Sequence, residues 1–136
     1  MPPKFHFGLT PLLQHRRRIE RDCERQFATC REEIREREDA MARLRDVLRT
    51  ELLAPRAEGC LWYVDDSLAA HRDAASALKR RMESLRDELL AARRDRRVIE
   101  KLYERRRKAY EAELARYEEI ELDEANAARR RTAKCP

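Results

Sequence analysis

The sequence predicts an all-α protein, a long antiparallel two-helix coiled-coil hairpin with an overhanging C-terminal helix. Charged residues make up 43% of the chain against 42% hydrophobic, and Gly and Pro number only 2 and 5. Apolar residues also recur in alternating steps of three and four along both halves. A chain this polar has too little apolar mass for a thick globular core, whereas long helices sharing one narrow seam suit it. The 32 Lys+Arg nearly balance the 27 Asp+Glu, leaving +5, so no polyanionic partner is demanded.

The elements follow in order: an N-terminal lead over residues 1–10, a first helix over 11–54, a turn over 55–60, a second helix over 61–128 and a basic tail over 129–136. Thr10-Pro11 is the first start signal, with Thr expected to accept a bond from an early backbone N–H and Pro pre-set for the first helical position. The first stripe then runs through Leu13, Cys23, Phe27, Cys30, Ile34, Met41, Leu44 and Leu48, with Arg16, Glu20 and Arg37 as polar interruptions. Pro55 and Gly59 mark the reversal, because the residue before a proline resists helical geometry. Beyond it the 3-4 alternation runs unbroken from Leu61 to Ala127, and a heptad held this long argues for a left-handed coiled coil.

Folding one stripe onto the other about the turn tests the register, since facing positions must then add to a near-constant value. Leu48 meets Leu68, Leu44 meets His71, Met41 meets Ala75, Ile34 meets Met82, Cys30 meets Leu85, Phe27 meets Leu89 and Leu13 meets Tyr103. Glu20 falls opposite Arg96, while Arg37 faces Leu78 and is expected to snorkel to solvent. The helices come out unequal, about 60 Å against about 100 Å at 1.5 Å per residue. Past about Arg107 the stripe of Tyr110, Leu114, Tyr117 and Ile120 is left without an intrachain partner and reads as a docking surface. The competing reading folds residues 1–9 back over it with Phe5, Phe7 and Leu9.

Charge is segmented as well. Residues 93–108 are strongly basic, 111–124 acidic apart from Arg116, and Arg129, Arg130, Arg131 and Lys134 close the chain. Such runs form a solvated face or an electrostatic mate for a partner. Nucleic-acid binding, suggested by Arg16-Arg17-Arg18 and Arg105-Arg106-Arg107-Lys108, needs a basic face free of acids. Glu100, Glu104 and Glu111 share those faces, so no nucleic-acid partner is expected.

No catalytic constellation, small-molecule substrate, cofactor or metal is expected. His6, His15 and His71 are scattered, there is no phosphate-binding glycine loop, and a helix pair offers no pocket. Cys23 and Cys30 stand about 10 Å apart along one helix, too far to bridge each other. With Cys60 at the turn and Cys135 in the tail, no C-x-x-C pair exists. The opening residues lack the apolar core of a secretion signal, and no stretch approaches a membrane span, so a cytoplasmic protein is expected.

Two ends of the chain carry a resemblance. The opening Phe5-His6-Phe7-Gly8-Leu9-Thr10-Pro11-Leu12-Leu13 resembles the start of the flagellar export protein FliJ family. Glu100-Lys101-Leu102-Tyr103-Glu104-Arg105, followed by Leu122-Asp123-Glu124-Ala125, is similar to that family's E-K-L-x-E-R and L-D-E signatures. The resemblance implies a coiled-coil stalk of flagellar type III export, peripheral at the inner-membrane export apparatus. Its implied partners are the export ATPase hexamer, the cytoplasmic domain of the export-gate membrane protein and export chaperones. Carried onto this sequence, the ATPase-facing set is Phe7, Leu9, Leu12, Leu13, Glu100, Lys101, Leu102, Leu122, Asp123 and Glu124, joined by the stripe residues Tyr110, Tyr117 and Ile120. The gate-facing set is Met41, Leu44, Leu68 and His71. The equivalent stalk of a virulence-type injectisome and a generic coiled-coil scaffold or chaperone remain as alternatives.

Overall fold

The computed structural model of the chain describes residues 2–53 and 61–134. They form two helices, α1 over Thr10–Leu53 and α2 over Leu61–Lys134, of 44 and 74 residues. After Pro11 neither helix contains Gly or Pro, and Arg, Glu and Leu dominate both, joined by Ala in α2, all residues with high intrinsic helix propensity. The reversal expected at 55–60, with Cys60, lies outside the described residues, as does Cys135.

Both helix ends differ from the sequence reading. The Leu13 N–H already donates to the Leu9 carbonyl at 2.9 Å, so Leu9 takes the N-cap role one residue before Thr10. The Thr10 hydroxyl consequently turns back and donates to the Phe7 carbonyl at 2.7 Å, alongside the Thr10 N–H at 3.1 Å. At the other end the basic tail is not a separate segment: α2 continues through it to Lys134. Arg131 and Lys134 occupy the last turn, where cations complement the negative end of the helix dipole.

The chain divides into two compact units, Arg17–Arg94 and Met1–Arg16 with Asp95–Pro136. Arg17–Arg94 is a helical hairpin in which rising α1 numbers meet falling α2 numbers: Arg93 pairs with Glu20 and Glu24 at 3.5 Å each, Lys79 with Glu38 at 3.4 Å, and Arg37 with His71 at 3.1 Å. Its seam holds two apolar clusters. Met41, Val64, Leu68 and Ala75 are buried together with Leu44 and Leu48 packed against them; Cys30, Ile34 and Leu85 form the second with Phe27, Leu78 and Met82. The expected facing partners Met41 and Ala75, Leu48 and Leu68, Ile34 and Met82, and Cys30 and Leu85 each share a cluster.

Polar residues in this seam find specific partners. Arg37 does not simply run out to solvent beside Leu78; it reaches the His71 ring nitrogen, turning two separate polar notches into one contact. The Leu78 carbonyl instead takes the Cys30 thiol at 3.3 Å. Glu20 is only 9% exposed, and a carboxylate so placed requires compensation, which Arg93 supplies from the facing helix.

Candidate partner interface

The other unit is built on the N-terminal lead. Residues 2–7 carry no regular secondary structure, and in an extended segment side chains alternate between faces. Phe5 and Phe7 accordingly turn onto α2 while Lys4 and His6 are exposed. Phe7 is buried with Leu13 and Ile99, and Phe5, Leu9, Leu102 and Tyr103 pack against that cluster. The Phe7 ring meets Tyr103 edge-on at 5.2 Å, and Phe5 meets Tyr103 at 5.6 Å and Tyr110 at 5.4 Å. The Arg106 guanidinium lies 5.5 Å from the Phe7 ring centre. Edge-to-face pairs contribute about 0.5–1.5 kcal/mol each beyond area burial, and an exposed cation–π contact about 0.5–1 kcal/mol. The lead is therefore fastened by rings rather than by a backbone ladder.

Ion pairs flank this cluster. Arg96 meets Glu100 at 2.7 Å and Arg107 meets Glu111 at 3.0 Å, both one helical turn apart, and Arg16 reaches Asp95 at 3.4 Å. Arg96 and Glu100 are half-buried, whereas exposed pairs such as Arg107–Glu111 contribute a few tenths of a kcal/mol each. They support the helix but do not fix the lead.

Further along α2 the environment changes. Leu114 is half-buried, and every residue from 115 to 134 is exposed. Tyr117, Ile120 and Leu122 are 51%, 54% and 62% exposed, set among the acids of 111–124. This is a continuous apolar and acidic helix surface, a form that suits docking.

The expected site residues thus fall into separate groups. Phe7 and Leu13 are buried, Leu9 and Leu102 half-buried in the same cluster, and Leu12 is partly exposed at 39%. The opening motif and the E-K-L-x-E-R motif, from opposite ends of the sequence, are therefore packed together by Leu102 on Phe7 and Leu13. Glu100 is tied to Arg96, and Lys101 is exposed. Tyr110, expected to be uncovered, carries Phe5 on its ring, as the competing reading of the lead has it. Tyr117, Ile120, Leu122, Asp123 and Glu124 are open. Of the gate-facing set, Met41 and Leu68 are buried seam residues, and Leu44 and His71 are half-buried.

Sequence reasoning assigned no role to Arg106 as a lid on Phe7, or to the exposed apolar group of Leu52, Leu53, Trp62 and Tyr63 in the hairpin unit. Leu52, Leu53 and Trp62 stand off the 3-4 stripe in the sequence, which was the available signal. Among the described residues no helix is long and apolar enough to cross a membrane, and no group of three or more His, Cys, Asp or Glu side chains is assembled to hold a metal.

The described residues thus form an all-helical protein with an apolar seam between its two long helices and an open stretch at 115–134. The family model for the flagellar FliJ protein matches residues 57–134, more than half of the chain, and the chain belongs to the FliJ family. That match includes the E-K-L-x-E-R and L-D-E motifs and begins downstream of the opening motif. No curated protein and no solved structure matches the chain.

Proposed function

We propose that the chain is a non-enzymatic coiled-coil stalk of the flagellar type III export apparatus, coupling the hexameric export ATPase to the cytoplasmic domain of the export-gate membrane protein. In this reading it acts from the cytoplasm, peripheral to the inner membrane, and assists the return of export chaperones. Flagellum biogenesis, and with it motility and chemotaxis, depends on it. Family membership supports the export role. The observation that supports the stalk is the open stretch at 115–134 bearing Tyr117, Ile120 and Leu122, which in this reading is the part that enters the ring.

In this reading the two units have different tasks. The C-terminal residues Tyr117, Ile120, Leu122, Asp123 and Glu124 face the ATPase, with Phe7, Leu9, Leu12, Leu13 and Leu102 setting the shape of that end. The region around Met41, Leu44, Leu68 and His71 lies toward the gate, through the partly exposed Leu44 and His71 rather than the buried Met41 and Leu68. Replacing Tyr117 and Ile120 by Glu places charge on the open face without touching the buried clusters. Stimulation of the secretion ATPase should be lost while the circular-dichroism melt is unchanged; full stimulation by this variant would overturn the assignment.

A further inference from the structure

Tyr103, Tyr110 and Tyr117 recur at a seven-residue interval on α2, so their rings stand along one side of the helix. Only the first two are covered: Phe5 contacts both Tyr103 and Tyr110, Phe7 contacts Tyr103, and Tyr117 is 51% exposed. We propose that the N-terminal lead is a displaceable strap, in which Phe5 shields Tyr110 and gives way when the partner that docks on Tyr117 extends along the same tyrosine stripe. The identity of that partner, the export ATPase, rests on the stalk reading.

The contacts divide the lead into an anchor and an arm. Phe7 is the anchor: it is 3% exposed, shares a cluster with Leu13 and Ile99, and its carbonyl takes both the amide and the hydroxyl of Thr10. Phe5 is the arm. It is only half-buried, lies in a segment without regular secondary structure, and is flanked by exposed Lys4 and His6. Lifting Phe5 breaks two ring contacts and leaves the buried cluster intact, and the freed Tyr110 lengthens the apolar stripe by one heptad toward Leu114 and Tyr117. A cover of this size suppresses casual contacts of an aromatic surface without competing seriously against a specific partner.

The test uses the full chain, with Phe5→Ala to remove the arm and Phe5→Tyr to keep a ring in place. Without a partner, tetranitromethane nitration read by mass spectrometry should rise at Tyr110 in Phe5→Ala, toward the level at Tyr117, and stay low in Phe5→Tyr. With the secretion ATPase, Phe5→Ala should bind about two- to tenfold more tightly, the release of the one ring contact on Tyr110, and Phe5→Ala/Tyr110→Ala should lose the gain. Unchanged nitration of Tyr110 would overturn the strap. So would increased nitration with unchanged or weaker ATPase binding, provided the melt of Phe5→Ala matches that of the parent. If no chain binds the ATPase, the stalk reading fails, and nitration alone then decides whether Phe5 covers Tyr110.

Discussion

Leu85 and Leu122 sit on the same helix, each among charged residues, yet one is 5% exposed and the other 62%. Leu85 belongs to the hairpin Arg17–Arg94, where Cys30 and Ile34 of α1 complete its cluster. Leu122 belongs to a stretch in which all residues from 115 to 134 are exposed. Helix formation therefore does not depend on packing along the whole of α2. In the hairpin the seam supplies about 1.5–3 kcal/mol for each large side chain buried. In the open stretch, intrinsic helix propensity carries the helix, with Arg131 and Lys134 at its C-terminal dipole.

The contrast breaks most sharply under paired truncations. Leu85→Ala should lower stability by about 2–4 kcal/mol, since it removes buried carbons from a seam that relaxes only in part. Ile120→Ala, in the open stretch, should change it by less than about 0.5 kcal/mol. Urea unfolding followed by circular dichroism compares the two directly, and equal losses would mean that the open stretch is packed in solution. Arg93→Ala should fall between them, at about 1 kcal/mol, because it withdraws the guanidinium from buried Glu20 and exposed Glu24 together. A double-mutant cycle with Glu20→Gln isolates that contact; a coupling energy of zero would place the stabilisation elsewhere.

How much of this was legible in the sequence follows the same division. The helices and the facing pairs of the hairpin could be read because heptad spacing fixes which residues share a face, and one turn then fixes which faces meet. The partners of polar seam residues could not. Arg37 and His71 have side chains long enough to reach along the seam as well as across it, so spacing alone does not select their contact. The lead was the least legible part. Phe5 and Phe7 obey an extended alternation that says which face they share but not where it lands, and only the three-dimensional contacts with Tyr103 and Tyr110 decide that. The exposure of Tyr117 and Ile120 was accessible to sequence reasoning for the opposite reason: the unequal lengths of the two stripes are visible in the sequence.

The smallest effect tests the seam's edge rather than its core. Cys23 lies half-buried in the hairpin, where burial pushes its thiol pKa up and the negative charges of Glu88 and Asp22 push it in the same direction. The thiolate is the reactive form, so a raised pKa means less thiolate at any pH below it and slower alkylation. With Cys60 and Cys135 replaced by Ser, Cys23 should react with iodoacetamide more slowly than a free thiol, its rate rising only at higher pH. Glu88→Gln removes one negative neighbour without opening the seam, and should shift the rate profile to lower pH. An unshifted profile in Glu88→Gln would mean that the Glu88 charge does not reach Cys23, leaving burial and Asp22 to hold the thiol protonated.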